Sequence, residues 1–172
     1  MRILFVTALT LALPTGLLAA GGGDSKPAEP KCPWGKVYDK TKKECVAAEE
    51  SNLDTDTLYE TVRELAYAGR YVDAQTVLAA MPQDDDRTLT YLGFTNRKMG
   101  RTDIAMGYYT HALAVNPANI LARSYMGQGL VEQGQIADAL VQLRAIRDHG
   151  GTGTWAETSL RSAIAAGQTY SY

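Results

Sequence analysis

The chain has 172 residues, of which 45% are hydrophobic and 21% charged, as is typical of a soluble protein with one globular domain. Its net charge of −2 at pH 7 argues against a nucleic-acid-binding protein, because such proteins concentrate basic side chains to neutralise phosphates.

The first 22 residues have the pattern of a secretory signal peptide. One basic residue, Arg2, precedes an apolar run, and Pro14, Gly16 and several small residues follow it. The run is shorter than the roughly 20 residues that a membrane-spanning helix needs, and Pro14 interrupts it. We therefore expect residues 1–22 to be removed and the protein to be periplasmic or secreted.

Residues 23–50 are expected to form a flexible linker that contains one small closed loop. Gly, Pro and charged residues up to Lys31 show no apolar period. In an exported chain, a disulfide is the default for Cys32 and Cys45, because two cysteines without a nearby histidine cannot complete a tetrahedral zinc site. Closing a loop of this size contributes roughly 3 kcal/mol, enough to hold a small two-stranded hairpin.

The spacing within this loop suggests an alternative function. The sequence C-P-x-G-x-V-Y-D, followed by five residues and Cys45, resembles the terminal hairpin of invertebrate-type chitin-binding modules. The resemblance covers only the segment from Cys32 to Cys45, and those modules have several disulfides where this chain allows one. It implies a cell-wall or polysaccharide-binding protein with Trp34 and Tyr38 as candidate contacts; a stapled knob or spacer is the structural alternative.

An internal repeat occupies about residues 53–167. A shift of 34 residues superposes Leu92 on Met126, Gly93 on Gly127, Gly100 on Gly134 and Ala105 on Ala139. A unit of this length, with an L-G pair, a later glycine, spaced alanines and a closing Pro117, resembles the tetratricopeptide repeat. The resemblance implies an all-α superhelix of helical hairpins, with units at about 55–85, 86–119 and 120–151 and a cap helix at 154–166.

Gly93 tests this interpretation, because a glycine inside a helix costs about 1 kcal/mol relative to alanine. The resemblance implies that Gly93, Ala105 and Ala112 lie where the first helix of a unit presses against the second. The cost in helix stability is then offset by close packing. We expect Gly93→Leu to destabilise the protein far more than an exposed substitution would.

The cap helix has its own start signal. Thr154 and Glu157 form the capping-box pattern that begins a helix. On the helix that follows, we expect one face to pack on the last unit and the other to be solvated. The expected packed residues are Trp155, Leu160 and Ile164, and the expected solvated residues are Glu157 and Arg161.

The common signatures of catalysis and cofactor binding are missing from the sequence. There is no phosphate-binding loop, nucleophile elbow, paired-histidine zinc motif or dinucleotide-binding glycine loop. His111 and His149 fall on different units, without acidic or cysteine partners at metal-binding spacing. The run from Asp84 to Asp86 lacks the calcium-loop pattern and fits helix-start capping better. We therefore expect a protein that is not an enzyme and has no cofactor and no metal.

The resemblance also implies a concave groove lined by the first helix of each unit. The candidate groove residues are Tyr59, Arg63, Tyr67, Arg87, Thr90, Phe94, Arg97, Lys98, Ser124 and Gln128. Aromatic rings beside guanidinium groups suit an extended peptide with acidic or C-terminal carboxylate groups, although each of these side chains also has an ordinary structural explanation. We therefore expect a protein- or peptide-binding scaffold or adaptor in the cell envelope, with no nucleic-acid partner and no membrane span after signal cleavage.

Overall fold

The computed structural model describes residues 30–169. The signal peptide expected at residues 1–22 lies outside the described residues. Within the described part, the elements are β1 (Val37–Asp39), β2 (Glu44–Val46), a short 3-10 helix (Ala48–Glu50), α1 (Thr55–Tyr67), α2 (Tyr71–Ala79), α3 (Asp86–Lys98), α4 (Thr102–Val115), α5 (Ile120–Glu132), α6 (Ile136–Asp148) and α7 (Trp155–Ala166).

The first helix of each unit begins at a polar side chain that caps it. The carboxylate of Asp54 accepts a hydrogen bond from the Thr57 amide, and that of Asp85 accepts from the amides of Arg87 and Thr88. Asn119 caps α5 in the same way. These acceptors satisfy amides that have no partner inside the helix. Within the acidic run at residues 84–86, Asp85 is the residue that caps α3, which agrees with the predicted role of the run.

The helices pack in consecutive pairs, and the pairs stack side by side. The helix pairs α1 with α2, α3 with α4 and α5 with α6 form three hairpins, while α1, α3, α5 and α7 contact one another in that order. This arrangement confirms the predicted all-α, tetratricopeptide-like superhelix. Helix α2 is shorter than α4, with 9 residues against 14, because the chain turns away near Pro82.

Two glycines mark the closest approaches between helices. A Cβ atom added at Gly93 would overlap the Tyr109 ring of α4 and lie 2.6 Å from its Cδ1 atom. At Gly127, one repeat later, an added Cβ would lie 2.6 Å from Cδ2 of Leu160 in α7. Ala105 and Ala112 are both fully buried. Small residues therefore stand where the helices touch, which is the packing expected of Gly93.

The disulfide-closed hairpin packs on the first helical pair. Cys32 and Cys45 are bonded, and β1 pairs with β2 in antiparallel register. Val37 and Val46 belong to the same apolar core as α1 and α2, and a guanidinium nitrogen of Arg70 donates to the Cys32 carbonyl at 3.0 Å. Residues 23–50 were expected to form a flexible linker with one closed loop; residues 23–29 lie outside the described residues, and the closed loop packs on the helices. The difference arises because the paired valines lie on one face of the hairpin and are buried against α2.

Two residues of the cap helix α7, Glu157 and Trp155, differ in burial from the expectation. Glu157 is buried rather than solvated, and it pairs with Arg147 of α6 at 2.7 Å. Trp155 is 46% exposed and contacts Tyr125 edge-on, so it does not pack fully into the last unit. Leu160 is fully buried, as expected. The cap therefore combines one apolar contact with one charged pair.

Candidate functional site

The first helices enclose an aromatic hollow on their shared face. Its volume is about 390 Å³. Side chains from α1, α3, α5 and α7 line it, namely Tyr59, Arg63, Tyr67, Tyr91, Leu121 and Trp155. We call this space the aromatic hollow. Each stacked helix contributes to it, so it exists only when the units are assembled.

Helical periodicity and the repeat together place these side chains. On α1, Tyr59, Arg63 and Tyr67 are four residues apart and therefore share one face. Across the units, Leu121 and Trp155 lie one and two 34-residue repeats after Arg87, so the same position faces the groove each time. At this one repeat position, the side chain that faces the groove is therefore a cation in α3, an aliphatic chain in α5 and an indole in α7.

The floor of the aromatic hollow is a cluster of tyrosines. Tyr91 is fully buried beneath the rings above it, and its ring meets that of Tyr59 edge-on with centroids 5.5 Å apart. The hydroxyl of Tyr67 lies 3.0 Å from that of Tyr91 and 3.1 Å from that of Tyr125. Burial raises the pKa of Tyr91, and the Tyr67 hydroxyl adds to the effect, so this phenol remains neutral at physiological pH.

A second hollow of about 360 Å³ adjoins the first and is more polar. The two share Tyr59 and Leu121, and the other residues of the second hollow are Asp86, Arg87, Asn116, Ala118, Asn119 and Ile120. We call it the polar hollow. The Asp86 carboxylate accepts hydrogen bonds from the side-chain amides of Asn116 and Asn119 at 2.8 and 2.7 Å. These bonds hold the start of α5 against the start of α3.

Each hollow contains one arginine. Nη1 of Arg63 donates to both carboxylate oxygens of Glu60, at 3.0 and 2.9 Å. Burial acts to lower the pKa of Arg63, but Glu60 and Tyr91 outweigh burial and raise it. In the polar hollow, Nη1 of Arg87 lies 2.7 Å from the Asp56 carboxylate. Both guanidinium groups are therefore cationic and face the groove.

Four of the other predicted groove residues connect neighbouring first helices. The Thr90 hydroxyl accepts from the Asn119 amide, and Arg97 pairs with Glu132, in both cases between α3 and α5. Between α5 and α7, the Ser124 hydroxyl donates to the Ala156 carbonyl, and Gln128 donates to the Ser159 hydroxyl. All four are buried. They set how successive units stack and do not line the two hollows.

The last two predicted groove residues, Phe94 and Lys98, lie close to each other at the aromatic cluster. Phe94 is fully buried at the centre of the aromatic cluster, where it contacts Tyr67, Tyr71 and Tyr125. The Lys98 ammonium lies 5.9 Å from the Phe94 ring centroid, and burial, followed by the nearby charge of Arg97, lowers the pKa of Lys98. Phe94 therefore supports the groove floor from below, and a partner cannot touch it.

The candidate groove residues omit three aromatic residues of this region. Tyr91 and Trp155 line the aromatic hollow, and Tyr125 is buried in contact with both of their rings. The two tyrosines stand at the same repeat position, and Trp155 continues the position of Arg87 and Leu121. Carrying each groove position through every unit, including the cap, would have found Trp155.

Other possible sites carry no ligand signal in residues 30–169. His111 and His149 are both exposed, and no group of three or more metal-binding side chains comes together in this part of the chain. None of the helices described here has both the length and the apolar character needed to cross a bilayer.

The fold and the hollows define a class of protein: a short helical-repeat stack with a groove on the face of its first helices. No family model matches the chain, and no curated protein matches it. Two solved structures from Yersinia enterocolitica share the fold.

One of them is the type III secretion translocator chaperone SycD, with 22% identity and a TM-score of 0.55 over 67% of this chain and 86% of that chain. The other is SycD in complex with a peptide of the translocator YopD, with 20% identity and a TM-score of 0.53 over 68% of this chain and 93% of that chain. At this level of identity the likeness shows the fold.

Proposed function

We propose that this protein is a non-enzymatic scaffold or adaptor that binds an extended segment of a partner protein in its groove. The observation that carries the proposal is the aromatic hollow, whose volume of about 390 Å³ is open to solvent and walled by rings and one arginine. Partly exposed aromatic side chains beside arginine are the residues that most often anchor protein partners. SycD has the same fold and has been solved in complex with a peptide of YopD, which supports peptide binding by this protein too.

The two tryptophans of the chain allow a direct test. Trp155 lines the aromatic hollow, whereas Trp34 lies in the disulfide-closed loop, is 82% exposed and does not line the hollow. In a Trp34→Phe protein, Trp155 is the sole indole fluorophore. Peptides selected from a random dodecapeptide display library should shift its emission on binding, because they exclude water from the ring.

Matched variants give the control for this experiment. Trp155→Ala should weaken binding of the selected peptides by about tenfold or more, as expected for an aromatic anchor, whereas Trp34→Ala should leave it unchanged. Equal loss in both variants, or no loss in either, would exclude the groove as the binding site. Binding of chitin or peptidoglycan that Trp34→Ala abolishes would favour the alternative, a polysaccharide-binding hairpin.

We further propose that the protein acts in the periplasm or as a secreted protein. The leader pattern of residues 1–22 and the Cys32–Cys45 disulfide support this location, since disulfides persist in oxidising compartments. Fractionation of cells that express the full chain, with thiol labelling of each fraction, tests it. Recovery of the uncleaved, reduced chain from the cytoplasm would contradict the proposal.

A further inference from the structure

The two hollows adjoin each other, and each is lined by one arginine that lies near the ring of Tyr59. Tyr59 and Leu121 belong to both hollows. The guanidinium carbon of Arg63 lies 5.9 Å from the Tyr59 ring centroid, and that of Arg87 lies 5.0 Å from it. The two cations are therefore no farther apart than about three residues of extended chain.

Two of the three carboxylates that pair with these arginines, those of Glu60 and Asp56, are mostly solvated; the third, that of Asp85, lies 3.5 Å from Nε of Arg87 and is 23% exposed. The side chain of Glu60 is 63% exposed and that of Asp56 is 82% exposed. Ion pairs of this kind contribute little stability, because water screens both charges. A carboxylate from a partner can therefore replace Glu60 or Asp56 at little cost, and the arginines need not move far to accept it.

The third arginine near the groove has a different environment. The side chain of Arg97 is completely buried, and it pairs with Glu132 between α3 and α5. A ligand cannot reach Arg97, because this side chain has no exposed surface. The cations that a ligand can reach in the two hollows are therefore Arg63 and Arg87.

We propose, as a refinement that rests on the proposed function, that the groove selects a segment with two acidic residues two or three positions apart. The acidic side chains pair with Arg63 and Arg87, and a large apolar residue beside the first of them fills the aromatic hollow. Aromatic walls can also attract a cation. The lining of the aromatic hollow includes Arg63 and no carboxylate, so a basic anchor is disfavoured there.

The peptides selected in the display experiment test this refinement by their sequences. The expected enrichment is a pair of Asp or Glu residues at that spacing next to Leu, Ile, Phe or Trp. Arg63→Gln and Arg87→Gln should each weaken binding of such a peptide by about tenfold, and added salt should weaken it further. Arg144→Gln, an exposed arginine on α6, is the matched control and should have no effect.

The outcomes separate this refinement from the proposed function. Selected peptides that lack an acidic pair, carry a basic anchor or bind both arginine variants within twofold of the parent would overturn the refinement, while Trp155→Ala still identified the groove as a binding site. A library that yields no binder, or binders indifferent to Trp155→Ala, would overturn both. Unchanged thermal unfolding of the arginine variants shows that any loss of binding is not a loss of fold.

Discussion

The two ends of the helical stack are closed by different means. At the first unit, a hairpin of two three-residue strands covers α2, and a disulfide holds it together. At the last unit, a full helix, α7, covers α5 and α6, with Leu160 fully buried beside Leu143 and Ile146. Repeat stacks need a solvated cap at each end. A helix buries enough apolar surface to serve alone, whereas a hairpin this small needs a covalent bond.

The close contact between Gly93 of α3 and Tyr109 of α4 lies in the central unit, between the two ends of the stack. We expect its disruption to have the largest effect on stability. Gly93→Leu would add a Cβ atom that overlaps the Tyr109 ring and three further carbons, and we expect it to destabilise the protein by more than about 3 kcal/mol. Chemical denaturation measures the loss. Gly107→Ala is the matched control, because Gly107 lies in α4 with open space around it and should gain up to about 1 kcal/mol. Equal, small effects of the two changes would mean that α3 and α4 are not in close contact.

The helical end is tested by removing its buried side chain. Leu160→Ala should cost about 3 kcal/mol, since it deletes a fully buried leucine and leaves a cavity over Gly127. Thr158→Ala, exposed on the same helix, should change stability by less than about 0.5 kcal/mol. If Leu160→Ala is equally mild, then α7 is not closed by apolar packing and the contrast between the ends fails.

The hairpin end is tested by removing its covalent bond. The double change Cys32→Ser and Cys45→Ser should cost roughly 2–3 kcal/mol. Because the hairpin touches mainly the first pair, hydrogen exchange should accelerate at Val37 and Val46 while α5 and α6 keep their protection. Loss of protection throughout the stack would show that the hairpin supports more than its own end.

The smallest effect concerns the charged pair of the helical end and depends on pH. The Gly153 amide, and then Arg147, lower the pKa of Glu157. The stabilisation is therefore fully present above the ordinary glutamate pKa of about 4.3 and is lost as the pH falls through that value towards the folded pKa. Glu157→Gln should unfold at a lower temperature than the parent at neutral pH, and the gap should close in acid. A gap that persists in acid would mean that the carboxylate charge is not what stabilises α7.

The predicted site residues divide according to what they contact. Tyr59, Arg63 and Tyr67 line the aromatic hollow, and their spacing of four residues on one helix was enough to place them together. Thr90 and Ser124 were assigned to the same face, yet both hydrogen-bond across to the next first helix. The crossing of neighbouring helices decides which side of a shared face is covered, and a single helix pattern does not contain that information.

The sequence by itself predicted the class of fold, through the resemblance of its 34-residue unit to the tetratricopeptide repeat. It also predicted the disulfide and the caps of α3 and α7, because these depend on local spacing. Tertiary structure alone decided that Trp155 and Tyr91 enter the groove, that Glu157 is buried and that the hairpin packs on α2. Those outcomes depend on how separate units meet in space, and burial is set by neighbours that are distant along the chain.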